Sequence, residues 1–309
     1  MTTDGRPIEA IATGQHGNFT RQQASAAGLT RGVLRSRDQS GNLVKVGVRT
    51  FASPLTPRSA LTDLSALMLD VGDPVWTCGP TAAALNGCDG FVLAPPFHLL
   101  TLSNRNVRRL GHVIHTTNDL PLIDQVIVNG FRATSATRTI IDLARSMPAA
   151  SVTAAIDSAL RDGLTSETFL HRRISELRSR GRYGIPALLA IIEGAEITRG
   201  GHSWLERRFL EIVGGAGLPR PSTQAVLARA GDKLVRVDAL FEPQRVVVEV
   251  LGYRWHRSKA HLQRDTERIN RLTLDGYFVL QFTYSDVAEY PQRVIGPLTE
   301  ALGRPLPAV

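Results

Sequence analysis

The chain has 309 residues, 43% of them hydrophobic and 21% charged, which is room for two or three folded domains and the composition of a soluble globular protein rather than a disordered one. No apolar run reaches the roughly eighteen residues of a membrane span, and Met1 to Pro7 lack the apolar core of a secretory signal, so no membrane partner and a cytoplasmic location are expected. The net charge of +8 sits at the two ends: residues 1–60 carry eight Lys/Arg against three Asp/Glu, residues 61–200 thirteen against thirteen, and residues 201–309 fifteen against twelve. Such ends can grip a polyanion. Only Lys45, Lys233 and Lys259 are lysine, and a GC-rich genome alone can produce such an arginine bias. The two cysteines, Cys78 and Cys88, are too few for a disulfide framework or a cysteine zinc site and read as small buried apolar side chains.

In chain order, Ile8 to Ala12 and Phe19 to Ala26 read as short helices, ended near Gly14 and Gly28. Thr30 can cap a third helix, Arg31 to Arg37, with Val33 and Leu34 facing inward. Gly41-Asn42 then opens an extended stretch, Leu43 to Ala52, interrupted at Gly47. Three short helices followed by a hairpin is the order of a winged helix, expected over residues 1–53. Arg31 and Arg35 share a helix face, and Lys45 and Arg49 flank the hairpin tip, which is where a winged helix meets DNA phosphates. Pro54 and Pro57 mark a linker. A mixed α/β domain is expected over 58–195, mostly helical from Arg58 to Gly90, extended from Phe97 to Phe131, and helical again over Arg138 to Ala144, Val152 to Leu160, Glu167 to Leu177 and Ile185 to Ile192. Gly200-Gly201 is the second expected boundary, opening a third domain over 201–309.

The stretch from Ile8 to Ser53, with Gly17, Gly28 and Gly47-Val48, resembles the winged helix of AbiEi-type antitoxins. Pro80 to Gly87 is similar to that family's Ala-Ala-x-Leu-x-Gly helix, and Ser135 to Ala144 to its Arg-Thr-x-x-Asp-Leu-Ala helix. The resemblance covers about the first 195 residues and implies a DNA-binding regulator with a toxin as partner. Arg138 and Asp142, four apart on their helix, read as a packing ion pair rather than catalytic residues.

The stretch from Arg236 to Gly252 carries the chemistry. Two β-rich runs flank Pro243-Gln244, a hairpin signal. With a two-residue loop there, Asp238 and Glu249 stand opposite each other on one face. Two carboxylates at ~5 Å repel by roughly 3 kcal/mol at an effective dielectric of about 20, and Glu249 interrupts an apolar run. Either a divalent cation bridges them, magnesium or manganese suiting hard oxygen ligands, or an arginine such as Arg236 neutralises them.

These residues resemble the PD-(D/E)xK nuclease superfamily, and more closely the group related to the very-short-patch repair endonuclease Vsr, including the domain of unknown function 559 family. The motifs run from Ser203 to Val287: Ser203-Trp204-Leu205-Glu206, Ala216 to Pro219, Asp238, Glu249, Gly252-Tyr253-Arg254-Trp255-His256, then Asp265, Arg268, Asn270 and Leu272, and Gly276 to Thr283. The resemblance implies a restriction-endonuclease-like αβββαβ domain. It implies Glu206, Asp238, Glu249 and His256 as catalytic residues, Asp238 and Glu249 as magnesium ligands, and hydrolysis of a DNA phosphodiester. Arg264, Arg268 and Arg271 recur along one helix face and are candidate phosphate contacts. One departure matters: two residues after Glu249, where such enzymes carry Lys, Asp or Gln, stands Leu251, which can neither ligate metal nor move a proton. Two functions therefore stay open for this α/β multidomain chain. One is a magnesium-dependent DNA endonuclease; the other is an antitoxin-like transcriptional regulator, binding double-stranded DNA and a toxin or other protein, with a catalytically degenerate nuclease-like domain.

Overall fold

The computed structural model describes residues 7–105, 107–178, 184–199, 203–230, 233–251 and 259–304. The chain is α/β and divides into two compact units, one of Met1–Leu143 with Ala154–Thr165, the other of Ala144–Thr153 with Ser166–Val309. Among the described residues no helix is long and apolar enough to cross a membrane.

The first unit opens with α1 (Ile8–Thr13), β1 (Asn18–Thr20), α2 (Arg21–Ala26), α3 (Arg31–Gln39), β2 (Val44–Lys45) and β3 (Thr50–Ala52). The strands form an antiparallel sheet in the order β1-β3-β2, with Phe19 opposite Phe51 and Lys45 opposite Phe51 on the other side. Phe19, Ala24, Leu34, Leu43 and Phe51 make its core. Phe19, expected in a helix, lies in a strand because the helix starts later. Thr20 and Gln23 form a reciprocal capping box, so the helical hydrogen bonds begin at Arg21 and leave Phe19 free to pair. Thr30 caps α3 as its position implied, its hydroxyl accepting from the Val33 N–H.

The chain continues through α4 (Ala60–Val71), β4 (Val75–Thr77), α5 (Gly79–Leu85), β5 (His98–Leu102), β6 (Val113–Thr117), β7 (Gln125–Val128), β8 (Phe131–Thr134) and α6 (Ala136–Leu143). The five strands form a mixed sheet in the order β6-β5-β4-β8-β7. Its core holds Leu64, Val71, Val75, Leu85, Phe97 and Leu99. Pro54 and Pro57 do not separate two bodies here, because polar contacts bind the opening segment to α4. Asn18 Nδ2 donates to Thr62 O at 2.9 Å, and Ser65 Oγ donates to Gln15 O at 2.6 Å. The next helix, α7 (Ala149–Arg161), is divided between the units.

The second unit contains α8 (Glu167–Arg178), α9 (Ile185–Arg199), α10 (Trp204–Gly215), β9 (Ser222–Ala230), β10 (Lys233–Phe241), β11 (Val246–Leu251), α11 (Lys259–Leu274), β12 (Phe278–Thr283), α12 (Tyr284–Ala288) and α13 (Gln292–Leu302). The sheet order is β12-β11-β10-β9, antiparallel from β9 to β11, with α11 as the crossover that makes β12 parallel to β11. Helix α8 belongs to this unit rather than to the sheet before it. Its buried His171 stacks on Trp204 of α10 at 3.6 Å between ring centroids, and His171 Nδ1 lies 2.9 Å from the Tyr284 hydroxyl.

Candidate functional site

Arg31 and Arg35 are exposed on α3, one turn apart, and Lys45 is exposed on β2. Among the described residues these three side chains have no hydrogen-bond or ion-pair partner, so their charges face solvent. Arg49 is different and corrects the expectation of four equivalent cations. Its Nε donates to Asp70 O at 3.1 Å and its guanidinium to Val71 O at 2.8 Å, while its backbone N–H donates to Asp70 Oδ1 at 2.8 Å. The last carbonyls of α4 have no intrahelical donors. Arg49 satisfies them and complements the negative end of the helix dipole, so its guanidinium, though exposed, is already engaged.

In the second unit the β10–β11 hairpin sets the geometry. Its loop is four residues rather than two: Glu242–Gln244 form a short 3-10 turn, and Arg245 follows in the left-handed region at φ 50°. The extra residues fall evenly on both sides, so the register is the one that symmetry about Pro243-Gln244 implies. Ala239 pairs with Val248 and Leu240 with Val247, which aligns Asp238 with Glu249. The ladder ends there. Instead of pairing, Asp238 Oδ2 accepts the Val250 N–H at 2.8 Å, bridging the strands where they part.

Burial pushes the Asp238 carboxyl above its ordinary value; the Val250 N–H pulls it back, and the Glu206 carboxylate pushes it up again. Glu206, in the first turn of α10, accepts from Gln224 Nε2 at 2.7 Å. Gln224 stands at φ 53°, a kink in β9 that lies between the pairs Val237–Ala225 and Ala239–Thr223. Glu206 and Asp238 are thus electrostatic neighbours. His256 lies outside the described residues, as do Tyr253, Arg254 and Trp255.

Glu249 is buried, and Arg268 from α11 grips it in a fork: the two guanidinium nitrogens donate to its two carboxylate oxygens at 2.9 and 3.0 Å. Arg268 also donates to Arg236 O at 3.1 Å. An arginine therefore answers the Glu249 carboxylate: Arg268 forks onto it, and the charges of both Arg268 and Arg236 act on Asp238. Expected as a phosphate contact, Arg268 is turned inward. Arg271, the other candidate described on this helix, is exposed and pairs with Asp275 at 3.3 Å. The side chain of Arg264 lies outside the description.

Magnesium or manganese needs several oxygen ligands converging on one point. Among the described residues no group of three or more His, Cys, Asp or Glu is so placed. A guanidinium and a metal ion compete for the same lone pairs of Glu249, and Leu251 offers none. As arranged, these side chains do not fit the cation that the motif implies.

Two buried polar clusters escaped sequence reading. Arg138 pairs not only with Asp142 at 2.8 Å but also with Asp124 at 3.1 Å, and Asp124 is 1% exposed. The stacked His171, Trp204 and Tyr284 are the other. Compared with known proteins, the chain matches no family model and no curated protein. The motifs and the geometry are therefore what a functional reading rests on.

Proposed function

We propose that this is a DNA-binding regulator rather than a working nuclease. In this reading residues 1–53 are a winged helix that grips duplex DNA through Arg31, Arg35 and Lys45. Residues 201–309 are a restriction-endonuclease-like domain, related to the Vsr group, whose acidic centre is held closed. The order of three helices and the β1-β3-β2 sheet supports the first half. The fork of Arg268 on Glu249 carries the second, because it occupies the carboxylate that hydrolysis would require, with Leu251 in place of the usual third polar group. The resemblance of the first 195 residues to AbiEi-type antitoxins makes a cytoplasmic toxin the natural protein partner.

The test pairs gel shift with plasmid nicking. The intact chain should retard duplex DNA with strong salt dependence and leave supercoiled plasmid uncut in magnesium or manganese. Metal-dependent cleavage that Glu249→Ala abolishes would overturn this reading in favour of a PD-(D/E)xK endonuclease.

A further inference from the structure

The first unit contains a cleft of about 1110 Å³, remote in sequence from the acidic centre and sharing only Arg31 with the proposed DNA contacts on α3. One wall comes from α2 and α3, the other from the end of α4 and the start of β8. It is an open cleft, slightly larger than the roughly 300–1,000 Å³ of most small-ligand pockets. Five arginines line it (Arg21, Arg31, Arg49, Arg105 and Arg132) against a single carboxylate, Asp73. Arg49 and Arg105 spend their hydrogen bonds on carbonyls at the end of α4, yet their charge remains. Arg132 pairs with Asp73 at 3.4 Å, whereas the side chains of Arg21 and Arg31 are exposed and have no partner among the described residues.

The apolar part of the lining is equally specific. Leu29, Met68, Leu69 and Phe131 contribute to it, and the Phe131 ring lies flat against His16, 4.9 Å between centroids and 7° between planes. Gln15 belongs to the same wall, and its Oε1 is buried without a hydrogen-bond donor among the described residues. That oxygen is closed off from the cleft, so Gln15 shapes the wall and offers no ligand an acceptor there. A concave site lined by both cations and apolar side chains suits an organic body that carries an anionic group.

We infer that this cleft binds a nucleotide-type ligand, its phosphate on Arg21 and Arg31 and its base against the half-buried Leu29, Met68 and Leu69 side chains. Arg31 faces both this cleft and the proposed DNA surface of α3. A ligand phosphate and a DNA phosphate compete for that guanidinium, so occupancy weakens DNA binding, and by linkage DNA weakens ligand binding. Only this coupling rests on the DNA-binding reading; the site itself does not.

Calorimetry on the full chain without DNA tests the site, with AMP, ATP, GTP and inorganic pyrophosphate as probes. At least one nucleotide should bind saturably at one site per chain. Pyrophosphate should bind at least tenfold more weakly, because it lacks the apolar body. Arg21→Ala, at an exposed position, should weaken nucleotide binding about tenfold, the loss of one charge-assisted contact. Met68→Trp should fill the cleft and abolish binding, with an unchanged far-UV spectrum showing that the fold persists. No saturable nucleotide binding, pyrophosphate binding as tightly as nucleotide, or an unaffected Arg21→Ala would each overturn the site. A gel shift at saturating nucleotide should show weaker duplex binding, and unchanged duplex affinity there would overturn the coupling.

Discussion

His171 should make the second unit acid-sensitive well above the range in which carboxylates titrate. Burial, reinforced by the Arg207 charge, pushes its pKa down to about 3, against about 6.5 in an unfolded chain. The Tyr284 hydroxyl, kept protonated by burial, lies 2.9 Å from Nδ1, a hydrogen bond the neutral ring makes as donor or acceptor according to its tautomer. The folded pKa is depressed, so the unfolded chain binds the extra proton, and stability falls as pH drops below about 6.5 until it levels near 3. Between pH 7 and pH 5 the linkage relation gives a loss of about 2 kcal/mol, or about 4–8 °C in Tm for a unit of this size. Urea titrations at the two pH values measure it, followed by tryptophan fluorescence in a Trp76→Phe background so that the signal comes from Trp204 and Trp255. His171→Phe keeps the ring stack on Trp204 and removes the titrating group. It should be less stable at pH 7, where the Tyr284 hydroxyl loses its hydrogen-bond partner, and should show a pH 7 to 5 loss smaller by about 2 kcal/mol than the parent. An equal loss in both proteins would refute the assignment.

Arg49→Ala should lower the thermal stability of the first unit by about 1–2 kcal/mol, the value of a helix end losing its partners, while leaving DNA affinity nearly unchanged in a gel shift. Asp238→Asn should stabilise the second unit at neutral pH. Its folded pKa is raised, so the ionised form costs stability, and the advantage measured by urea titration should vanish as pH falls below the usual carboxylate range. Arg138→Ala should destabilise the first unit by about 3 kcal/mol, read by thermal unfolding, because it breaks a buried pair with Asp124.

Sequence was most informative where physics is local. The capping of α3 by Thr30 lies within a few residues, and the β10–β11 register follows from spacing about one turn, which is why a loop of the wrong length still yielded the right alignment. The centre that those elements carry depends on partners the chain brings from afar. Glu249 meets Arg268 nineteen residues on, Arg138 meets Asp124 fourteen residues back, and His171 meets Tyr284 113 residues away. Helical or strand periodicity cannot encode such separations. The same holds for Phe19, whose apolar character suits helix and strand alike until the Thr20 capping box decides where the helix begins. Hydrogen bonding also separates roles that composition merges: Arg31 and Arg49 are both exposed in the same basic segment, yet the Arg49 guanidinium is engaged by carbonyls of α4 and that of Arg31 is not.

On the proposed reading, that separation bounds how strongly the chain would hold DNA. The N-terminal charge excess suggested a broad basic face, but the internal engagements of Arg49 and Arg268 remove two of the seven cations first expected at phosphates. The pairing of Arg271 with Asp275 is exposed, so it holds Arg271 only loosely. Arg31, Arg35 and Lys45 remain as unpaired cations on the first unit among the residues expected there. Three phosphate contacts give a log–log slope of binding against salt of about −3, at about −0.9 per phosphate. Arg31→Ala with Arg35→Ala should bring it to about −1, and Arg49→Ala should leave it where it was. Equilibrium gel shifts on a short duplex at several salt concentrations measure both. If the parent slope is near −6 and the double variant keeps most of it, the duplex is held elsewhere, by a second copy or by the C-terminal helix, and the α3 face is not the principal grip.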